Sequence, residues 1–223
     1  ISVDVCSGRR YYLTSPEQGR ADAMCRPDQG AASLHAEERM HPEFEEFLEQ
    51  LEEMIGYEGD VYKLTEEDEK PPLWVVIYDD VPDDGNVTAF TYGLSSVPVS
   101  DGEARPLREL VLSIESDNID WGFAAGVLAK SLRGRCPFDK GNVVKFGERI
   151  AKDSGLSAFV AYPPTVLDED QVQLELDGRT IEFMQLVPIY EEEIPVLESL
   201  GVDGFFADES FDIYKVDRPA RIL

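Results

Sequence analysis

Phe90-Thr91-Tyr92-Gly93-Leu94-Ser95 runs from an aromatic strand into a glycine turn. Glu109-Leu110-Val111-Leu112-Ser113-Ile114, the small-residue segment Trp121 to Leu132, and Gly134-Arg135-Cys136-Pro137-Phe138 follow it. Short apolar runs bounded by turn residues predict strands, here over 87–92 and 107–115. Asp117 or Asn118 is placed to cap a helix that runs to about Leu132 and ends at Gly134. Gly122, Ala124, Ala125, Gly126 and Ala129 leave that helix a surface on which another layer can approach closely.

Upstream, Phe44, Phe47, Leu48, Leu51, Met54 and Ile55 share one helical face, with glutamates on the other. Pro42 suits the start of this helix and Gly56 its stop. Leu73 to Tyr78 reads as a central strand, and Asp83-Asp84-Gly85-Asn86 as the turn into the next. Downstream, Asn142 to Phe146 and Ala158 to Tyr162 are short strands, and Gln171 to Leu176 and Thr180 to Val187 flank the hairpin signal Asp177-Gly178. Tyr190 to Leu200 reads as a helix weakened by Pro195, and Phe211 to Val216 as a last strand. Hairpins outnumber strand–helix–strand alternations. The expected fold is therefore α+β, a mixed and largely antiparallel sheet with helices packed on it. Residues 1–40 lack a sustained apolar period and read as a poorly ordered N-terminal extension to a domain over 41–223.

The net charge is −26 over 223 residues. Such a chain repels phosphates and anionic membrane surfaces, so neither nucleic acid nor membrane is an expected partner. A basic protein is. An acidic proteome or a salt-rich habitat would also account for the charge. Residues 37–90 carry three basic side chains against 18 acidic, and 161–223 carry four against 15. Residues 91–160 are balanced, with a basic run from Lys130 to Lys152 that is a candidate internal pairing surface. Cys6, Cys25 and Cys136 form no disulfide framework, which fits a reducing, cytoplasmic setting. No apolar stretch approaches the roughly 20 residues of a membrane span.

Catalytic equipment is sparse. His35 and His41, the only histidines, lie in or beside the extension, six residues apart, which is not a helical ligand spacing. The acidic runs Glu66 to Glu69 and Asp79 to Asp84 lack the alternating ligands of a calcium loop. Cys136 has Arg133 and Arg135 beside it but no histidine as base, so it reads as a buried structural thiol. Gly93-Leu94-Ser95 is not a nucleophile elbow. Some carboxylate pair can always be drawn among 46 acidic residues, so glycoside hydrolysis gains no support from one. No cofactor and no metal is expected.

Several blocks, taken in order, resemble the suppressor of fused (Sufu) domain family in its bacterial form. Tyr92-Gly93-Leu94-Ser95, Glu109 to Leu112, and Trp121 to Leu132 with Cys136-Pro137-Phe138 carry the resemblance. Phe146-Gly147-Glu148, Phe159 to Pro164, Leu186 to Glu193 and Asp217-Arg218-Pro219 extend it, and together the blocks cover about residues 43–219. Asp139 stands where some relatives carry a second cysteine of a Cys-Pro-Phe-Cys motif, which tells against a shared redox or metal role. The resemblance implies a protein-binding module rather than an enzyme, and bacterial relatives look like immunity proteins that neutralise a toxin. An intracellular scaffold or regulator of the same fold is the alternative, and a carboxylate-based hydrolase a more distant one. The expected partner-binding residues are Glu45, Glu46, Glu49, Glu52 and Glu53 on the first helix, Glu66, Glu67 and Asp68 after it, and the turn-flanking Tyr162 and Tyr190.

Overall fold

A computed structural model describes residues 41–64, 70–208 and 211–222, and the backbone of 2–5 and 9–12. The extension expected over 1–40 falls outside these residues except for strands β1 (Ser2–Val5) and β2 (Arg9–Tyr12). Cys6, Cys25 and His35, and Glu66, Glu67 and Asp68, also lie outside the described residues.

Helix α1 (Pro42–Ile55) begins where the chain leaves an extended His41 (ψ 134°), with Pro42 in its first turn. It ends where Gly56 turns left-handed (φ 85°) and donates its N–H to the Glu52 carbonyl at 2.7 Å. Strands β3 (Asp60–Leu64), β4 (Leu73–Asp79), β5 (Asn86–Tyr92) and β6 (Leu107–Glu115) follow, then helix α2 (Asp120–Leu132). The second half holds β7 (Val143–Lys145), β8 (Ala158–Tyr162), β9 (Gln173–Leu176) and β10 (Arg179–Ile189). A 3-10 turn, Glu191–Glu193, leads into helix α3 (Ile194–Phe206).

The strands form one sheet in the order β2-β1-β7-β8-β10-β6-β5-β4-β3, with β9 also on β10. Pairing is antiparallel except between β10 and β6, where Ile181 to Gln185 run parallel to Leu107 to Val111. The eleven-residue β10 pairs with β9 through its first half and β8 through its second. The result is the expected mixed, largely antiparallel α+β architecture.

The period-2 alternation of the strands divides the core between the two faces. Leu73, Val75, Ile77, Ala89, Leu110 and Leu112 meet α2 through Trp121, Ala125, Leu128 and Leu132. Trp74, Val76, Phe90, Val111 and Phe183 meet α1 through Phe44, Phe47 and Leu51. Phe44 stacks on Trp74 at 4.5 Å, and Phe47 lies 4.8 Å from Tyr92. Val160, Val187 and Ile189 meet α3 through Ile194, Val196 and Phe205.

Four expectations need correction. β4 is buried on both faces as expected, but it lies one strand from the end of the sheet order rather than at its centre. A strand over 60–64, where the sequence pattern predicts none, starts at the fully polar Asp60 and lacks a continuous apolar run. Pro195 does not weaken α3. It occupies the first turn, where its missing N–H has no intrahelical partner to lose, and the break comes instead at Gly201 (φ 69°). Phe211 to Val216 is not a strand, because only Lys215 bridges to the sheet, beside Glu115.

Candidate functional site

The acidic face of α1 is shaped by which of its glutamates the fold consumes. Glu43, in the first turn, accepts from Arg179 at 2.8 Å and from the Tyr92 hydroxyl at 3.2 Å, tying the helix to β10 and β5. Burial, together with the Glu43 charge, raises the Tyr92 pKa, so this hydroxyl stays protonated. Glu52 is half-buried and turned toward Tyr78, whose pKa is raised by burial first and the Glu52 charge second. Glu45, Glu46, Glu49 and Glu53 are exposed. Four of the five α1 glutamates expected at a partner surface are therefore presented to solvent, and Glu52 faces partly inward.

The second acidic segment is brought beside the first. Gln50 donates to the Glu175 carbonyl at 2.9 Å, and Gln171 reaches the Met54 carbonyl at 3.5 Å. Exposed Asp168, Glu169, Asp170, Glu175 and Asp177 thus continue the ridge started by α1. The sequence pattern does not single out these five. Their signal is the acidic balance of 161–223, but the contact that seats β9 beside α1 is tertiary. Tyr57, exposed to 67%, stands at the end of the ridge.

Tyr162 and Tyr190 are not on this ridge. Tyr162 packs on Phe206 at 4.8 Å with Lys140 over its ring at 5.4 Å. Tyr190 donates its hydroxyl to the Arg218 carbonyl at 2.8 Å. Its neighbour Glu193 is fully buried and takes a two-pronged ion pair from Arg218 at 2.6 and 2.7 Å. Glu193 also accepts the backbone N–H groups of Tyr190 and Arg221, and Phe211 lies against the Arg218 guanidinium at 4.1 Å. Two sequence blocks 25 residues apart thereby fasten the C-terminal segment to the sheet.

Cys136 lies beside a cavity of about 60 Å³ lined by Ser95, Arg105, Arg108 and Phe138. A volume well below the ~300–1,000 Å³ of small-molecule sites leaves little room for a substrate. Burial pushes the Cys136 thiol up to about 11, the behaviour of a structural rather than a reactive cysteine. At the rim Asp139 bridges Arg108 at 2.6 Å and Arg105 at 3.0 Å, while Arg105 also holds Asp101 and Glu103. The residue that departs from a cysteine motif thus works as a charged clasp. The basic run from Lys130 to Lys152 spends part of its charge internally, with Lys140 on Asp203 at 2.5 Å and Lys145 on Glu191 at 3.4 Å. Among the described residues no group of three or more His, Cys, Asp and Glu is placed to hold a metal. No helix among them is long and apolar enough to cross a membrane.

A family model described as suppressor of fused protein (SUFU) matches residues 69–219. The crystal structure of a SUFU homologue from Neisseria gonorrhoeae superposes with a TM-score of 0.59 at 17% identity, covering 78% of this chain and 93% of that one. The structure of a Sufu–Fu complex gives a TM-score of 0.60 at 12% identity over 80% and 91% of the two chains. Drosophila Suppressor of Fused gives 0.57 at 12% identity over 81% of this chain and 53% of its own, so the match spans about half of that protein. No curated protein sequence matches the chain.

Proposed function

The chain belongs to the suppressor of fused family, and from that premise we propose that it is a non-catalytic protein-binding module whose partner is basic. The observation that carries this reading is the acidic ridge, where exposed Glu45, Glu46, Glu49 and Glu53 of α1 run on into Asp168 to Asp170 and Glu175. Gln50 and Gln171 hold the two acidic segments together, so their exposed charges can act on one partner. A ridge of one sign speeds encounter with a partner of the other and rejects partners of its own. One structural neighbour is a Sufu–Fu complex, a protein–protein assembly, which supports protein binding as the mode. The specific form we favour is an immunity protein that covers the basic surface of a toxin in the cytoplasm. A free buried Cys136 fits a reducing compartment. A scaffold or regulator of the same fold would use the same ridge.

Capture of the partner with the native chain, followed by association kinetics at several salt concentrations, tests the proposal. The association rate is expected to fall steeply as salt rises, because exposed charges separated by more than a Debye length of about 8 Å are screened at physiological ionic strength. An association rate indifferent to salt overturns the electrostatic part. A toxin encoded beside this gene, neutralised by the chain in a growth-rescue assay, separates the immunity reading from the scaffold.

A further inference from the structure

Glu109 sits at a crowded point of β6, fully buried, with the turn that follows β5 folded around its carboxylate. The backbone N–H groups of three successive residues donate to it: Gly93 at 2.8 Å, Leu94 at 3.2 Å and Ser95 at 3.0 Å. Two hydroxyls complete the shell, Ser95 at 2.6 Å and Thr91 at 2.8 Å. Thr91 Oγ1 also accepts the Leu110 N–H at 2.9 Å, which leaves its proton for the carboxylate. Burial raises the Glu109 pKa, and the hydrogen bonds from Ser95, Thr91 and Gly93 work against that rise. All five contacts are donors, and an ionised carboxylate is an acceptor only. The arrangement therefore suits the charged form.

Consecutive backbone N–H groups converging on one point form an anion-binding concavity. The conformation depends on Gly93. Its φ is 112°, and a Cβ there would stand 2.6 Å from the Pro72 carbonyl oxygen, which is backbone and cannot swing away. Gly-Leu-Ser here serves a purpose other than that of a nucleophile elbow. The hydroxyl of Ser95 spends its proton on Glu109.

We infer that the Gly93-Leu94-Ser95 turn is a carboxylate receptor, filled in the folded protein by the chain's own Glu109, and that the emptied turn binds a free small carboxylate. Leu94 and Ser95 also line the cavity beside Cys136. The inference is independent of the acidic ridge, since it concerns the junction of β5 and β6 rather than α1.

Thermal unfolding of Glu109→Ala in sodium formate, against sodium chloride at equal ionic strength, tests it. The variant is expected to melt below the native protein in chloride and to recover as the logarithm of formate concentration, as binding to the folded state alone requires. The native protein shows no formate-specific rise. Glu109→Gln keeps the shape but turns an amide NH₂ toward N–H donors, so it melts lower than the native protein and formate does not rescue it. Equal melting of Glu109→Ala in formate and chloride overturns the inference, and so does native-like stability of Glu109→Gln. If Glu109→Ala does not fold in chloride, the Glu109→Gln comparison decides the matter.

Discussion

At the scale of single residues, the molecule's charges do two opposite jobs. Glu45, Glu46, Glu49 and Glu53 on α1 face water, whereas Glu193 is sealed inside with Arg218 as its counter-ion. Removing one partner of a buried pair leaves an uncompensated charge, which typically costs about 3–5 kcal/mol. Arg218→Ala is expected to lose stability on that scale in urea unfolding, and Glu193→Gln together with Arg218→Met to lose clearly less. A single variant that unfolds like the native protein would remove the pair from the fold's support. Cys136 gives a second residue-scale test. With its pKa pushed up to about 11, only about one thiol in a thousand is ionised near pH 8. Alkylation at Cys136, followed by mass spectrometry of its peptide, is expected to be slow in the folded chain and fast in urea.

At the scale of elements, α2 shows how small residues and a side-chain clasp settle a helix on a sheet. Gly126 lies so close to β4 and β3 that a Cβ would stand 2.4 Å from Val75 Cγ2 and 2.7 Å from Leu64 Cδ1. Gly126→Ala is expected to cost about 1–3 kcal/mol through overpacking, despite the better helix propensity of alanine. At the helix start Asn118, one of the two cap candidates of the sequence, accepts the Asp120 N–H on its Oδ1 at 3.1 Å. Asp153, from the loop after β7, reaches in and accepts from Ser116 at 2.8 Å, Asn118 at 3.1 Å and the Trp121 indole at 3.3 Å. Partial burial raises its pKa, but these hydrogen bonds together outweigh it and hold the carboxyl below its usual range. A depressed folded pKa means the stabilisation is present above the unfolded value of about 3.9 and is lost as pH falls through the lower folded one. Asp153→Asn is therefore expected to be less stable than the native chain at pH 7. The gap should close as pH drops below about 4, as read by denaturant midpoints across pH. A gap that does not change with pH would refute the carboxylate's part.

At the scale of the whole molecule, the proposed binding of a basic partner rests on the acidic ridge. Reversing Glu45, Glu46 and Glu49 to lysine is expected to lower the association rate with a basic partner by at least about tenfold at low salt, by the usual scale of steering. Melting temperature should change little, because these side chains are exposed. Much of this architecture is legible in the chain. β8 is legible to the residue because Pro163-Pro164 closes its apolar run, and α1 because its apolar face, Pro42 and Gly56 agree. β3 is not legible, since a half-exposed strand near the end of the sheet order needs no apolar run. Nor is the parallel contact of β10 with β6, which joins residues far apart in the chain, such as Ile181 and Leu107. Local, periodic properties are written in the chain: which segments bury a face, where they stop, and how much negative charge they carry. Adjacency emerges on folding: the loop after β8 and the strand β9 come beside α1, Arg218 reaches Glu193, and the Gly93 turn closes on Glu109. Hydrophobic periodicity is written along the chain, but a hydrogen bond or ion pair exists only once folding brings distant atoms within about 3 Å.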